Sequence, residues 1–196
     1  MARVVDKEQK RRDIAEASKE LLLEKGIKNI NVADIAKVAG VGKGTIYEYF
    51  DNKEDIVLEI MCSFLDEYKR EIDAFLQSNI STKEKLYRFL YGKFERFNLR
   101  QVNIFLEFTA ILLTSQDEKF KQQYKVVKET FAQTLNKIFE NAIVQGEYID
   151  EAIDYIDVVQ AFNFNLVKDY VVADIDIKSK IDNFVELTDK LLRRKK

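Results

Sequence analysis

A short glycine-rich segment around position 45 carries the side chains best suited to contact a polyanion. Lys43 offers an ammonium, Thr45 a hydroxyl and Tyr47 a hydroxyl on a flat ring, and Gly42 and Gly44 allow close approach of the backbone. A lysine at a helix N-terminus suits phosphate, since the free N–H groups there also attract anions. It can also donate to guanine O6 or N7 in the major groove. The spacing therefore favours binding to duplex DNA.

The elements that must position these side chains read as two short helices joined by a tight turn. Asn31 is a good N-cap for a helix over 32–39. Gly40 can adopt the left-handed conformation that ends this helix at low cost. A second helix is predicted over 43–50, and Lys53 begins the next. This layout is that of a helix-turn-helix, whose second helix enters the major groove.

The same segment resembles the DNA-binding signature of the TetR family of bacterial regulators, A-G-V-S-x-G-T-x-Y-x-[HY]-F-x-x-K-x-x-[LI]. The matching residues are Ala39, Gly40, Val41, Gly44, Thr45, Tyr47, Tyr49, Phe50, Lys53 and Ile56. Gly42 stands where the signature has Ser, which removes a capping hydroxyl. The resemblance implies an all-α fold, with an N-terminal three-helix helix-turn-helix DNA-binding domain followed by a helical ligand-binding and dimerisation domain, about nine helices in total.

The residues expected to contact DNA follow from this resemblance and from their chemistry. They are Asn31, Gly42, Lys43, Gly44, Thr45, Tyr47, Tyr49 and Lys53. Lys43 is the candidate for a base edge, while Tyr49 and Lys53 are expected at phosphates. For Tyr47 the alternative is a core aromatic, and its place in the motif favours DNA.

Composition and charge are consistent with a regulator of two domains. The chain has no proline and only 6 glycines in 196 residues, so long uninterrupted helices are expected. Residues 1–50 hold ten Lys/Arg and eight acids, a net charge of +2, which leaves −4 for the rest of the total of −2. We predict a DNA-binding domain over 1–52 and a ligand-binding and dimerisation domain over 53–196. The single cysteine and the absence of an apolar signal or membrane segment favour the cytoplasm.

The segment beyond position 53 reads as a series of amphipathic helices, and the last two suggest an interface. Residues 151–172 are apolar nearly all round, so this helix must be covered on two sides. The resemblance implies that the last two helices pair with their copies in a homodimer, although packing within the chain is the alternative. The residues expected at this interface are Ile153, Ile156, Val159, Ile177, Ile181, Phe184 and Leu191.

The aromatic content suggests a ligand pocket in the second domain. The chain has 14 Phe and 9 Tyr, most of them after position 47 and most expected in the core. Glu107 and Asn163 interrupt apolar surroundings, and buried polar groups without partners often line a cavity. For Glu107 a surface or ion-pair role is equally open. The expected pocket residues are Phe64, Phe94, Phe105, Glu107, Phe108, Phe131, Phe162 and Asn163.

The sequence gives no support for an enzyme. The chain has no histidine, which excludes Ser-His-Asp and Cys-His catalysis, and no metal site or cofactor is expected. A phosphate-binding loop fails because Lys37 and Gly44 stand where glycine and Ser/Thr are required. We therefore predict a ligand-responsive regulator, a repressor released from a palindromic operator by a small hydrophobic molecule. The alternative is a helical small-molecule or lipid-binding protein with a vestigial DNA-binding head.

Overall fold

The computed structural model describes residues 6–173 and 175–195, and these are almost entirely helical. In this part of the chain the only β-type pairing is an isolated antiparallel bridge between Tyr148 and Arg193. The predicted all-α fold is confirmed. The helices in chain order are α1 (Lys7–Asn29), α2 (Val32–Val38), α3 (Lys43–Tyr49), α4 (Lys53–Gln77), α5 (Thr82–Arg96), α6 (Leu99–Thr114), α7 (Glu118–Val144), a 3-10 helix (Asp150–Tyr155), α8 (Ile156–Val172) and α9 (Ile177–Leu192).

The chain forms two compact units, Met1–Tyr68 and Lys69–Lys196. The boundary between them falls inside α4, so residues 53–68 pack with the helix-turn-helix. The predicted division into a DNA-binding domain over 1–52 and a ligand-binding and dimerisation domain over 53–196 stays a prediction. Among the described residues, no helix is both long enough and apolar enough to cross a membrane.

Several helix limits have local causes. Helix α6 begins at Leu99, because Asn98 and Gln101 form a capping box with bonds of 3.0 and 3.1 Å. The helix predicted over 151–172 is divided into a 3-10 helix and α8, which begins at Ile156. Gly26 interrupts α1 with a φ of 77°, and a last turn follows.

In the first unit, Arg11 of α1 joins the ends of α3 and α4. Its guanidinium donates to Asp55 at 3.2 Å, to Glu59 at 3.0 Å and to the carbonyl oxygen of Tyr49, and it lies 4.3 Å from the Phe50 ring centroid. Burial opposes its charge, yet Asp55 and Glu59 raise its pKa above the ordinary value. This network therefore fixes the helix that carries the motif.

In the second unit, helices α5 to α9 surround one apolar core. Its largest fully buried side chains include Phe89, Phe139 and Tyr148. The Tyr148 and Phe139 rings meet edge to face with centroids 6.0 Å apart. Arg194 donates to the carbonyl oxygen of Tyr148 at 2.8 Å, so the end of the chain is held against the end of α7. This packing holds α8 and α9 in place.

Candidate functional site

Helix α3 has one buried side and one exposed side. Ile46 is 0% exposed and anchors the helix in the core of the first unit, whereas the adjacent Tyr47 is 54% exposed. Lys43 and Gly44 are exposed as well, and Thr45 and Tyr49 are half-buried. The structure thus places Lys43 and Tyr47 on the solvent side, where a DNA groove can reach them, and the core-aromatic alternative for Tyr47 does not apply.

The turn before α3 depends on two glycines in different ways. Gly40 has a φ of 65°, the left-handed conformation predicted for it. Gly42 is the N-cap of α3 with a φ of −70° and no side-chain capping bond. A Cβ placed on Gly42 would meet only Thr45 Oγ1 at 3.8 Å, and one on Gly44 would meet nothing within 4 Å. The backbone at the start of α3 is therefore uncovered.

Two other predicted DNA contacts already have partners inside the protein. Asn31 caps α2, where its Oδ1 accepts from the Asp34 amide at 3.0 Å. Lys53 donates from Nζ to the carbonyl oxygens of Ile27 at 3.1 Å and Lys28 at 3.4 Å. Lys53 was expected to hold a phosphate, and in this structure it caps the last turn of α1. A DNA contact by either residue stays a prediction.

The residues predicted to form a pocket are divided between the two units. Phe64 belongs to the first unit, where Lys19 Nζ lies 5.2 Å from its ring centroid. The others lie in the second unit: Phe94 and Phe108 are buried, and Phe105, Phe131 and Phe162 are half-buried. Their ring contacts are Phe94–Tyr170 at 4.9 Å, Phe97–Phe105 at 4.8 Å, Phe89–Phe131 at 6.0 Å and Phe162–Phe184 at 3.6 Å.

The two predicted polar anchors differ in environment. Glu107 is half-buried and accepts a hydrogen bond from Asn103 Nδ2 at 3.1 Å, one turn earlier in α6. Asn163 of α8 is buried and accepts from Lys93 Nζ of α5 at 2.5 Å. Sequence reasoning missed Lys93. The sequence did contain a signal for it, because its spacing from Leu86 and Leu90 places Lys93 on the apolar stripe of α5.

The predicted dimer residues lie mostly within the chain's own core. Ile156, Val159, Ile177 and Ile181 are buried, and Ile153 and Phe184 are half-buried. Of the predicted set, only Leu191 is strongly exposed, at 58%. The exposed apolar residues of these two helices are Val158, Phe164, Val172, Leu187 and Leu191. Apart from Leu191, the predicted residues thus lie mostly on the sides of the two helices that pack within the chain, and an interface through them stays a prediction.

Comparisons with known proteins agree with this fold and motif. Residues 14–60 match the model of the family described as bacterial regulatory proteins, tetR family. The fatty acid metabolism regulator protein of Bacillus subtilis (strain 168) is 29% identical over 145 residues, which cover 72% of this chain and 71% of that protein.

Two solved structures share the fold. The regulator FadR from Bacillus subtilis, in complex with stearoyl-CoA, has a TM-score of 0.63 at 22% identity over 90% of this chain and 96% of that one. A transcriptional regulator from Saccharomonospora viridis, in complex with choline, has a TM-score of 0.74 at 20% identity over 91% of this chain and 96% of that one.

The helix-turn-helix with its exposed α3, and the family match over the same residues, are those of a DNA-binding transcriptional regulator. The signature residues lie inside the matched region, residues 14–60. The helix-turn-helix part of this chain is thus that of the tetR family of bacterial regulatory proteins.

Proposed function

We propose that this regulator is a homodimeric repressor, released from a palindromic operator by a small hydrophobic molecule, and that it acts in the cytoplasm. The observation that carries the proposal is the orientation of α3, with Ile46 in the core and Tyr47 exposed. A helix held by one apolar residue and carrying a lysine, a threonine and a tyrosine on its other positions has the form of a recognition helix.

The proposed DNA contacts divide between phosphates and bases. Lys43, at the first turn of α3, reaches a guanine edge or a phosphate, and Thr45 and Tyr49 donate to phosphates. Gly42 and Gly44 let the start of α3 approach a phosphate closely, which the uncovered backbone supports. Asn31 and Lys53 act at the edge of this surface, by fixing α2 and the end of α1.

A second copy would bind over the exposed apolar side chains of α8 and α9. Leu187 is 66% exposed and Leu191 is 58% exposed, one turn apart on α9. Pairing of these sides across a two-fold axis would place two α3 helices on successive major grooves, about 34 Å apart or a multiple of that distance. A palindromic operator follows from this symmetry.

The proposed ligand is hydrophobic because aromatic rings dominate the interior of the second unit. The complexes of FadR with stearoyl-CoA and of the Saccharomonospora viridis regulator with choline support the proposal that this chain also binds a small molecule. A ligand shifts DNA affinity only by as much as it prefers one state of the dimer over the other. Since α4 is continuous across the boundary of the two units, it is the element proposed to carry that preference.

Fluorescence anisotropy with DNA duplexes tiling the region upstream of the gene tests this function. We expect selective binding that weakens with salt, because each neutralised phosphate releases counterions. Tyr47→Ala and Gly44→Ala should both weaken it at least about tenfold, while the nearby exposed Glu48→Ala serves as a matched control. Folded protein that binds no duplex, including those from in vitro selection over the whole genome, would refute the proposal.

A further inference from the structure

One lysine in the second unit, Lys93, has no carboxylate as a counter-ion among the described residues. Lys93 lies on the apolar stripe of α5, and its Nζ donates to the carbonyl oxygen of Leu90 at 3.0 Å and to Asn163 Oδ1 at 2.5 Å. Throughout residues 6–173 and 175–195, no carboxylate comes within 4.0 Å of this nitrogen. Burial without a counter-charge lowers the pKa of Lys93 to about 7. A lysine buried in this way gains from an anion that comes to it.

Asn163 supplies a second donor next to the same amine. The residue is only 9% exposed, and its Oδ1 accepts from Lys93 while its Nδ2 has no hydrogen-bond partner in the described part of the chain. Every fully enclosed side-chain nitrogen or oxygen in those residues does have a partner. Nδ2 is therefore not fully enclosed, and an acceptor atom can reach it.

Aromatic rings flank this pair of donors. The Phe94 ring centroid lies 4.7 Å from Lys93 Nζ, and the Tyr170 ring packs edge to face on Phe94 at 4.9 Å. Tyr91 also lies near Phe94, with ring centroids 6.4 Å apart. Two hydrogen-bond donors, Lys93 Nζ and Asn163 Nδ2, thus lie among aromatic rings. This arrangement suits an amphipathic molecule.

We propose that Lys93 and Asn163 bind the anionic head group of the ligand, a carboxylate or a phosphate, and that its apolar part lies among the neighbouring rings. The inference rests on the proposed ligand function and specifies its chemistry. The third Nζ proton and Nδ2 each donate to one oxygen of the head group, and such charge-assisted bonds are strong where water is excluded. A cationic head group is disfavoured at the same point by repulsion.

Titration calorimetry of the full chain with four decyl compounds tests this. Decanoate and decyl phosphate carry the two anionic head groups, decanol is neutral and decylamine is a cation. At least one anion should bind about tenfold tighter than decanol, with decylamine weakest, and the tighter anion identifies the head group. The preference should vanish in Lys93→Met and persist in Lys85→Met, a matched change on the same helix.

Proton uptake gives an independent readout. Anion binding should favour the charged form of Lys93, so at pH 8 the protein should take up protons when an anion binds. This uptake makes the measured binding enthalpy depend on the ionisation enthalpy of the buffer. Decanol should take up none. Asn163→Asp places a carboxylate on Lys93 within the chain, and it should abolish the anion preference even if Lys93→Met does not fold.

The outcomes separate this inference from the function on which it rests. Equal affinity for decanoate, decyl phosphate and decanol in the wild-type chain would overturn the anion site and leave a hydrophobic ligand in place. If none of the four compounds bound, the hydrophobic ligand and the head-group site would both be rejected. Binding of an anion with an unchanged preference in both Lys93→Met and Asn163→Asp would place the head group elsewhere and overturn the assignment.

Discussion

The hydroxyl of Tyr148 donates to a carboxylate oxygen of Asp189 at 2.9 Å, and this bond joins the loop after α7 to the last turn of α9. Tyr148 is fully buried, and Arg193 holds the same carboxylate through its Nε at 3.1 Å and its terminal nitrogen at 2.8 and 3.0 Å. Burial and the bond to Asp189 raise the pKa of Tyr148 above its ordinary value. The Tyr148 bond therefore fixes the end of α9 to the core, and Arg193 holds the same carboxylate from within the end of α9.

Tyr148→Phe should destabilise the chain by about 1 kcal/mol, because it removes the hydrogen bond and leaves the Asp189 oxygen with Arg193 as its partner. Urea unfolding followed by circular dichroism measures the change. Tyr124→Phe, at a half-buried tyrosine of α7, is the control and should have little effect. Equal stability of the two variants would show that the Tyr148 bond contributes nothing net.

Gly42→Ser should stabilise the first unit by about 0.5–1 kcal/mol, because a serine hydroxyl can cap α3 and the unfolded chain loses freedom. The φ of −70° and the 3.8 Å distance to Thr45 Oγ1 leave room for the side chain. The same substitution at Gly40, with its φ of 65°, should destabilise instead. Thermal unfolding of both variants checks the opposite signs, and a loss of stability at Gly42 would contradict the geometry.

Leu187→Glu should convert the proposed dimer to monomers, since it places a charge on the exposed apolar side of α9 without touching the core. Sedimentation equilibrium measures the dissociation constant of the dimer, which should rise at least about a hundredfold. Ile181→Ala, at a fully buried position of the same helix, should lower stability by about 2–5 kcal/mol. If the Leu187→Glu variant dimerised with undiminished affinity, the interface would have to lie on another surface.

Lys93 should make the stability of the second unit depend on pH. Its pKa is lowered in the folded state to about 7 from an ordinary 10.5, so folding is opposed by its charge at low pH. That cost is fully present below about pH 7 and disappears as the pH rises towards 10.5. The stability advantage of Lys93→Met over wild type should therefore shrink from pH 7 to pH 10, as urea unfolding would measure. The difference for Lys85→Met should stay constant over the same range.

The motif and the helix limits were predictable because their causes are local. Gly40 and the Asn31 cap on α2 act within a few residues, and Lys53 begins α4 as its place after the motif predicted. The start of α6 has a local cause as well, the Asn98–Gln101 capping box.

Which side of a helix faces the core was harder to predict, because it depends on distant partners. Helix α9 has apolar side chains on both sides, and periodicity alone favoured Ile177 and Ile181 for the dimer. Those two are buried within the chain, whereas Leu191, which was also predicted, and Leu187, which was not, are exposed. Lys53 shows the same limit: its motif position indicated DNA, and only the fold shows the α1 carbonyl oxygens beside it.

The contacts of Arg11 and Lys53 also determine how the first unit can deform. Arg11 holds α4 at Asp55 and Glu59, and Lys53 holds the last turn of α1 to the first turn of α4. Two attachments at separate points along one pair of helices resist hinge bending between them far better than a single one. We therefore expect residues 53–59 and α1 to move together, with the internal geometry of the helix-turn-helix preserved.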